Sequence, residues 1–344
     1  SGTVSTTVRR ASRLWAGSVL AAGLLAGCST DDGPSSTDAD AGSTSASTAP
    51  AGPSQTQTES ATPSLPPEPP APPPPPVFDG AAALETVRSL SEGIGPREGT
   101  SAAFAQAAAV VEQRFMGLGY AVRRQDVPVP SGVSWGVPVP AGSSANLIAE
   151  PPGFNAAARH VVVGAHLDTV PQAPGAEDNA SGVAVMLELA RMAAAQPPPI
   201  PLVFVAFGAE EPRGSGDDLH HFGSRVYVAS LSPEARASML GGISVDRVGV
   251  GAVVPVCTGG RGPLSLAEAL MAQAAVAGIP VSGICQNRAS DHWSFERGGL
   301  TGARVGSTPY AEYHSAQDRI NVVDPAQLDR AGRLVWATLQ SLAP

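Results

Sequence analysis

The chain contains no lysine: all 21 of its basic residues are arginine, set against 30 acidic residues, for a formal net charge of −9 over 344 residues. The missing lysine reads as a coding bias of the kind a GC-rich genome imposes, and it carries no mechanism. Aromatic residues are also few, at 5%. With neither a basic run nor a cluster of stacking aromatics, the sequence offers no nucleic-acid footprint. Cysteine is scarce as well, limited to Cys28, Cys257 and Cys285, and no internal repeat is visible. No apolar run is long enough to cross about 30 Å of hydrocarbon as a helix. What is abundant is apolar residue content, at 43%, enough to bury a full core along part of the chain.

The N-terminal stretch "VRRASRLWAGSVLAAGLLAGC" places Arg9, Arg10 and Arg13 before an apolar segment at residues 14–25, the layout of an export signal. Its ending, "LAGC", resembles the lipobox of bacterial lipoproteins. That resemblance implies cleavage after residue 27, lipid attachment at Cys28 and anchorage to the outer face of the cell membrane, with release into the medium left open. Residues 28–77 are dominated by Ser, Thr, Ala, Asp and Pro, with "PSLPPEPPAPPPPP" near the end. Such a segment buries too little apolar surface to offset the entropy of ordering, so an extended tether is expected. Residues 78–344 are expected to form one domain.

Within that domain, "AAALETVRSL" and "SAAFAQAAAVVEQRFMGLGY" carry apolar residues at helical spacing, the second stopping at Gly117 and Gly119. "AVRRQDVPV" and "SANLIAE" read as strands. "RHVVVGAHL" and "IPLVFVAFGAEE" are short, continuous apolar runs, the pattern of parallel strands covered on both faces. Between them "NASGVAVMLELARMAAA" is a helix with Asn179 or Ser181 near its cap. Strand, helix, strand in about fifty residues is a crossover unit, and "SLAEALMAQAAVAGI" and "PAQLDRAGRLVWATLQSLA" add two helices. The fold class expected is α/β, with a mixed, mainly parallel central sheet and helices on both faces.

In such folds ligands sit beyond the carboxyl ends of the strands, and there the polar residues cluster. His166 and Asp168 follow the first core strand, two residues apart and so on one side of extended backbone. A carboxylate so placed can orient a metal-binding imidazole through its other ring nitrogen. Asp178 precedes a helix start, Glu210 and Glu211 end the second core strand, Asp246 ends "GGISVD", and His314 lies in "AEYHSAQDRI". Each alone is as readily a cap or a structural residue. Together, two imidazoles and several carboxylates suit zinc or a similar divalent ion, and the excess of carboxylate suits a pair of ions.

The motifs "HLD", "GAEDNASG", "GAEE", "SVDRVG", "SDHWSF" and "YHSAQD" resemble, in order and spacing, those of the co-catalytic di-zinc exopeptidases that include the secreted bacterial aminopeptidases. The resemblance covers about residues 80–340. It implies two Zn²⁺ per chain, His166 and Asp246 on the first, Glu211 and His314 on the second, and Asp178 bridging. It further implies Glu210 as general base and acid, Asp168 as the partner of His166, peptide substrates and a monomeric enzyme. Alternatives on the same scaffold are glutaminyl cyclase and carboxypeptidase chemistry, and a non-catalytic binding lipoprotein is a third.

The sequence departs from the family pattern in two places. Where family members commonly carry Met after the third carboxylate, this chain has Arg247, which either turns aside to pair with a surface carboxylate or reaches into the substrate pocket and favours an anionic group. The segment "EEPRGSGDDLHHFGSRVYV" is longer than usual, and its "PRGSGDD" is expected as a surface loop with His220 and His221 exposed to solvent. His292 either approaches the substrate pocket or makes a structural hydrogen bond, and Tyr313 is a further pocket candidate. With Cys28 assigned to lipid, Cys257 and Cys285 remain, either as a disulfide, which an exported setting permits, or as separate thiols.

Overall fold

The structure is a computed structural model that describes residues 68–344. The export signal, Cys28 and most of the tether therefore lie outside the described residues. The compact unit runs Pro70–Pro344. In chain order it comprises helices α1 (Gly80–Arg88) and α2 (Ala102–Gly117), strand β1 (Ala121–Val129), the hairpin β2 (Gly132–Ser134) and β3 (Val137–Val139), and β4 (Gly142–Glu150). Then follow β5 (His160–His166), α3 (Ser181–Ala195), β6 (Leu202–Phe207), α4 (Phe222–Ala229), α5 (Pro233–Ser238) and β7 (Met239–Val245). The chain continues through β8 (Val256–Thr258), α6 (Ser265–Ala277), β9 (Cys285–Gln286), α7 (His292–Arg297), β10 (Gly302–Val305) and α8 (Pro325–Ser341).

Eight strands form one sheet in the order β1-β4-β6-β5-β7-β10-β8-β9. The central four, β6, β5, β7 and β10, are mutually parallel, and β1, β4 and β8 join antiparallel. Alternation along the strands sorts side chains to two faces. Val161, Val163 and Ala165 of β5 join Leu202, Phe204 and Ala206 of β6 beneath α1, α2, α3, α6 and α8. Val162, Val203, Val205 and Phe207 point the other way, against Tyr227 and Val228 of α4 and Phe295 of α7. The mixed, mainly parallel sheet with helices on both faces is thus present, and every residue of β5 is buried, as its unbroken apolar run requires.

Two glycines set how closely the layers approach. A Cβ at Gly164 would run into the Phe207 ring, and one at Gly182 into the carbonyl of Val245, so α3 can start hard against the end of β7 only without side chains there. Asn179 performs the capping expected near α3: its Oδ1 accepts the Gly182 N–H at 3.0 Å and its Nδ2 donates to the Val245 carbonyl at 2.9 Å. Cys257 and Cys285 are joined as a disulfide that ties β8 to β9, with Cα atoms 4.4 Å apart. No helix among the described residues is long and apolar enough to cross a membrane.

Candidate metal centre

The carboxyl ends of β5, β6 and β7 bring together His166, Asp178, Glu210, Glu211 and Asp246, and the turn before α8 adds His314. All six are buried. His166 Nε2 lies 3.1 Å from Asp178 Oδ1 and 3.7 Å from Asp246 Oδ1. His314 Nε2 lies 3.0 Å from Asp178 Oδ2 and 3.3 Å from Glu211 Oε1. Two donor sets, His166–Asp178–Asp246 and Asp178–Glu211–His314, therefore share Asp178, one oxygen to each.

The residues behind these donors explain their aim. The His166 Nδ1–H donates to the main-chain carbonyl of Asp168 at 3.1 Å. Because a carbonyl only accepts, this bond places the proton on Nδ1 and leaves the Nε2 lone pair facing the centre. The Asp168 carboxylate was expected to do that work. It stands 3.5 Å from Nδ1 and in addition accepts the N–H groups of Glu210 and Glu211 at 2.9 and 3.0 Å. Clamped this way, with the preceding Ala209 at φ 49°, the adjacent glutamates diverge, Glu211 towards His314 and Glu210 towards His166 at 3.9 Å.

Several supports were not legible in the sequence. Arg304, fully buried on β10, binds Asp246 Oδ2 at 3.2 Å and leaves Oδ1 for the centre. Asp318 accepts the N–H groups of Glu177 and Asp178 at 2.8 and 3.1 Å and a hydrogen bond from the Tyr310 hydroxyl at 3.0 Å. The peptide bond between Asp178 and Asn179 is cis. Trp135, in the turn between β2 and β3, packs edge-on against His314 with ring centroids 4.3 Å apart, and Tyr313 stacks on the same imidazole at 3.7 Å. Asp318 and Tyr313 had a signal, as the last and first residues of "YHSAQD".

Electrostatics follow from this crowding. Burial pushes the Asp178 carboxyl up, but the His166 and His314 imidazoles outweigh it and hold the group far below the ordinary range. Glu211 goes the other way, lifted by burial to about 7 against the pull of His314. Burial also opposes ionisation of Glu210, yet His166 and His220 overcome it and keep its carboxyl well below normal. Adjacent carboxylates with opposite shifts suit different tasks. His314, which burial would depress, is raised to about 10 by Glu211 and Asp178. The cluster thus draws positive charge inwards.

Two expectations need correction, the solvent exposure of His220 and His221 and the pocket alternative for His292. His221 is buried rather than exposed and His220 is only partly open. Their stacked rings, 3.7 Å apart, place both Nε2 atoms against Glu210 Oε1, at 3.2 Å for His221 and 3.6 Å for His220. The "PRGSGDD" loop itself is at the surface as expected, with residues 215–218 exposed, while Arg213 at its start is buried and pairs with Glu98. His292 does not enter the pocket: it is fully buried, donating from Nε2 to the Asn287 carbonyl at 2.7 Å. Asp291 beside it is buried with both oxygens unpartnered, and burial together with Glu210 lifts its carboxyl well above the usual range.

The donors fit a divalent metal. Glu211 Oε1, Asp246 Oδ1 and His314 Nε2 are buried without hydrogen-bond partners, a costly condition for polar atoms unless a cation takes the lone pairs. Mixed imidazole and carboxylate ligands, with a carboxylate shared between two sets, suit zinc.

A mainly parallel sheet with such donors beyond its carboxyl edge is the architecture of the zinc-dependent exopeptidases. Residues 146–339 match the model of Peptidase family M28, and the chain belongs to that family. It is 33% identical to the aminopeptidase YwaD of Bacillus subtilis over 189 residues, which span 52% of this chain but only 40% of YwaD. In fold it is similar to BSAP, a zinc aminopeptidase from Bacillus subtilis, with TM-score 0.67 and 21% identity over 76% of this chain and 94% of that one. It is similar to the same degree to a Bacteroides thetaiotaomicron glutaminyl cyclase, with TM-score 0.65 and 19% identity over 78% of this chain and 99% of that one.

Proposed function

We propose that this protein is a zinc-dependent aminopeptidase that removes N-terminal residues from peptides. The observation that carries the reading is the pair of buried donor sets meeting at Asp178, in which Glu211 Oε1, Asp246 Oδ1 and His314 Nε2 have no hydrogen-bond partner among the described residues. His166 and Asp246 would hold one zinc ion, Glu211 and His314 a second, and Asp178 both. Zinc held there would polarise the scissile carbonyl and lower the pKa of water. Glu210, beside the donors and kept ionised, takes the proton from water and delivers it to the departing amine. Asp168 fixes the turn that aims Glu210, and His221 and His220 hold its Oε1 so that Oε2 faces the centre.

Cys28 we assign as a lipid attachment site, which would tether a monomeric enzyme by residues 28–77 to the outer face of the membrane. The fold's likeness to a glutaminyl cyclase keeps a second reading in play, in which an N-terminal Gln cyclises with release of ammonia and no peptide bond is cut. The deciding experiment is hydrolysis of aminoacyl-p-nitroanilides by the full chain, with zinc added and then removed by chelator, alongside Glu210→Gln. Zinc-dependent release that falls on the order of 10²- to 10⁴-fold in the variant, with two zinc ions still bound per chain, is the expected result. Intact substrates with zinc bound, and ammonia from a Gln-initiated peptide, would replace this reading with the cyclase.

A further inference from the structure

We infer that Arg247 is the specificity determinant of the site and that preferred substrates carry a carboxylate next to the scissile bond. This inference rests on the aminopeptidase reading. The carboxylate has two sources, the side chain of an N-terminal Asp or Glu, or the free α-carboxylate of a dipeptide.

Arg247 lines the same cavity as the metal donors, a space of about 180 Å³. Its backbone is pinned there. The residue follows the end of β7 with φ 58°, its N–H donates to Asn179 Oδ1 at 3.1 Å, and its carbonyl accepts the Ser307 N–H at 3.2 Å. The half-buried side chain lies with its guanidinium over the Tyr313 ring, 4.7 Å from the centroid.

What distinguishes this arginine is what it lacks. The other buried arginines near the site are each paired. Arg304 binds Asp246, Asn287 and the Ala289 carbonyl, Arg97 binds main-chain carbonyls including those of Leu167 and Pro174, and Arg213 binds Glu98 and the carbonyl of Pro130. Among the described residues the Arg247 guanidinium has no carboxylate within ion-pair distance and no side-chain hydrogen bond, so its fork of donors is free. Trp135, Pro212, His220, Ala289 and Tyr313 line the same cavity, together with the carboxylates of the donor sets. Of those carboxylates, Asp246 is matched by Arg304, and Asp178 and Glu211 face His166 and His314. A guanidinium stacked on an aromatic ring and partly shielded from water is suited to hold a carboxylate bidentately. The small cavity keeps any occupant close to it.

The test is kcat/KM of the zinc-loaded full chain on Glu-, Asp-, Leu- and Arg-p-nitroanilide, and on Leu-Gly against Leu-Gly amide. We expect one anionic arm to exceed its neutral counterpart on the order of 10- to 100-fold, the worth of a well-formed charged pair. The acidic p-nitroanilides identify a side-chain carboxylate as the source, and Leu-Gly the α-carboxylate of a dipeptide. In Arg247→Met the winning ratio should collapse towards one, and in Arg247→Lys it should fall part of the way, with zinc content and Tm checked for both. Should either variant fold poorly, the wild-type ratio should still shrink with rising salt. Cleavage of Leu substrates with no anionic preference overturns the inference and leaves the aminopeptidase standing. Failure to cleave any member of the panel overturns that reading and this inference with it.

Discussion

Asp168→Asn tests how the centre is built. The wild-type carboxylate is 1% exposed and accepts two main-chain N–H groups, from Glu210 at 2.9 Å and Glu211 at 3.0 Å. Hydrogen bonds to a charged acceptor contribute about 1.5–3 kcal/mol each, and a buried donor left unpaired costs about 1–3 kcal/mol. Asparagine fills the same volume, but its amide oxygen accepts only one of the two, and its NH₂ then faces the other N–H. The expected loss is about 3 kcal/mol, shared between folding and metal affinity, which for a domain of this size lowers Tm by about 6–12 °C if it falls wholly on folding. Loss of such a support is expected to reduce activity or zinc affinity about 10- to 100-fold. Thermal melts, zinc titration and kcat/KM on one substrate measure all three. Because the carboxylate clamps the glutamate turn more closely than it meets His166, the larger change should appear in kcat. Zinc affinity and kcat/KM both within twofold of wild type would refute the argument.

Two further outcomes are expected. Burial, with Arg304 nearby, depresses the His292 imidazole from 6.5 to about 3, so the unfolded chain takes up a proton near pH 6.5 that the folded chain refuses. Stability contributed by neutral His292 is therefore full above pH 6.5 and is lost as pH falls, by about 2 kcal/mol at pH 5. Urea melts at pH 7 and pH 5 should show that much less acid destabilisation in His292→Gln, whose amide can still donate to the Asn287 carbonyl; equal acid sensitivity would count against it. The Cys257–Cys285 bond spans a sequence separation of 28, for which loop-closure entropy predicts a loss of about 3–4 kcal/mol on removal. Cys257→Ser with Cys285→Ser should melt correspondingly lower than wild type, and a melt unchanged by the double substitution would contradict the entropic account.

Much of the frame is readable from local pattern. The unbroken apolar runs of β5 and β6 announce buried parallel strands, the periodic stretch between them announces α3, and the polar residues at their ends mark the site. β8, β9 and β10 are two to four residues long and have no such signature. Their place in the sheet follows from the disulfide and from pairing with β7, neither of which a local window contains. The misreading of His220 and His221 has the same origin. Polar neighbours such as Asp217 and Asp218 suggest a solvent-exposed loop, but the segment begins at the buried Arg213–Glu98 pair and brings both imidazoles against Glu210.

The sequence by itself determined the α/β class, where the core strands lie along the chain and the chemical types at their carboxyl ends, because periodicity and composition act over a few residues. Tertiary structure alone decided which oxygen of Asp178 faces which imidazole, that Arg304 neutralises Asp246, that Asp168 clamps the glutamates, and that Arg247 lines the cavity over Tyr313 with no carboxylate paired to it among the described residues. Those outcomes depend on ångström-scale distances between segments up to more than a hundred residues apart, such as Asp178 and His314 at 3.0 Å. Such distances are set by how helices and sheet pack, and no short stretch of sequence encodes them.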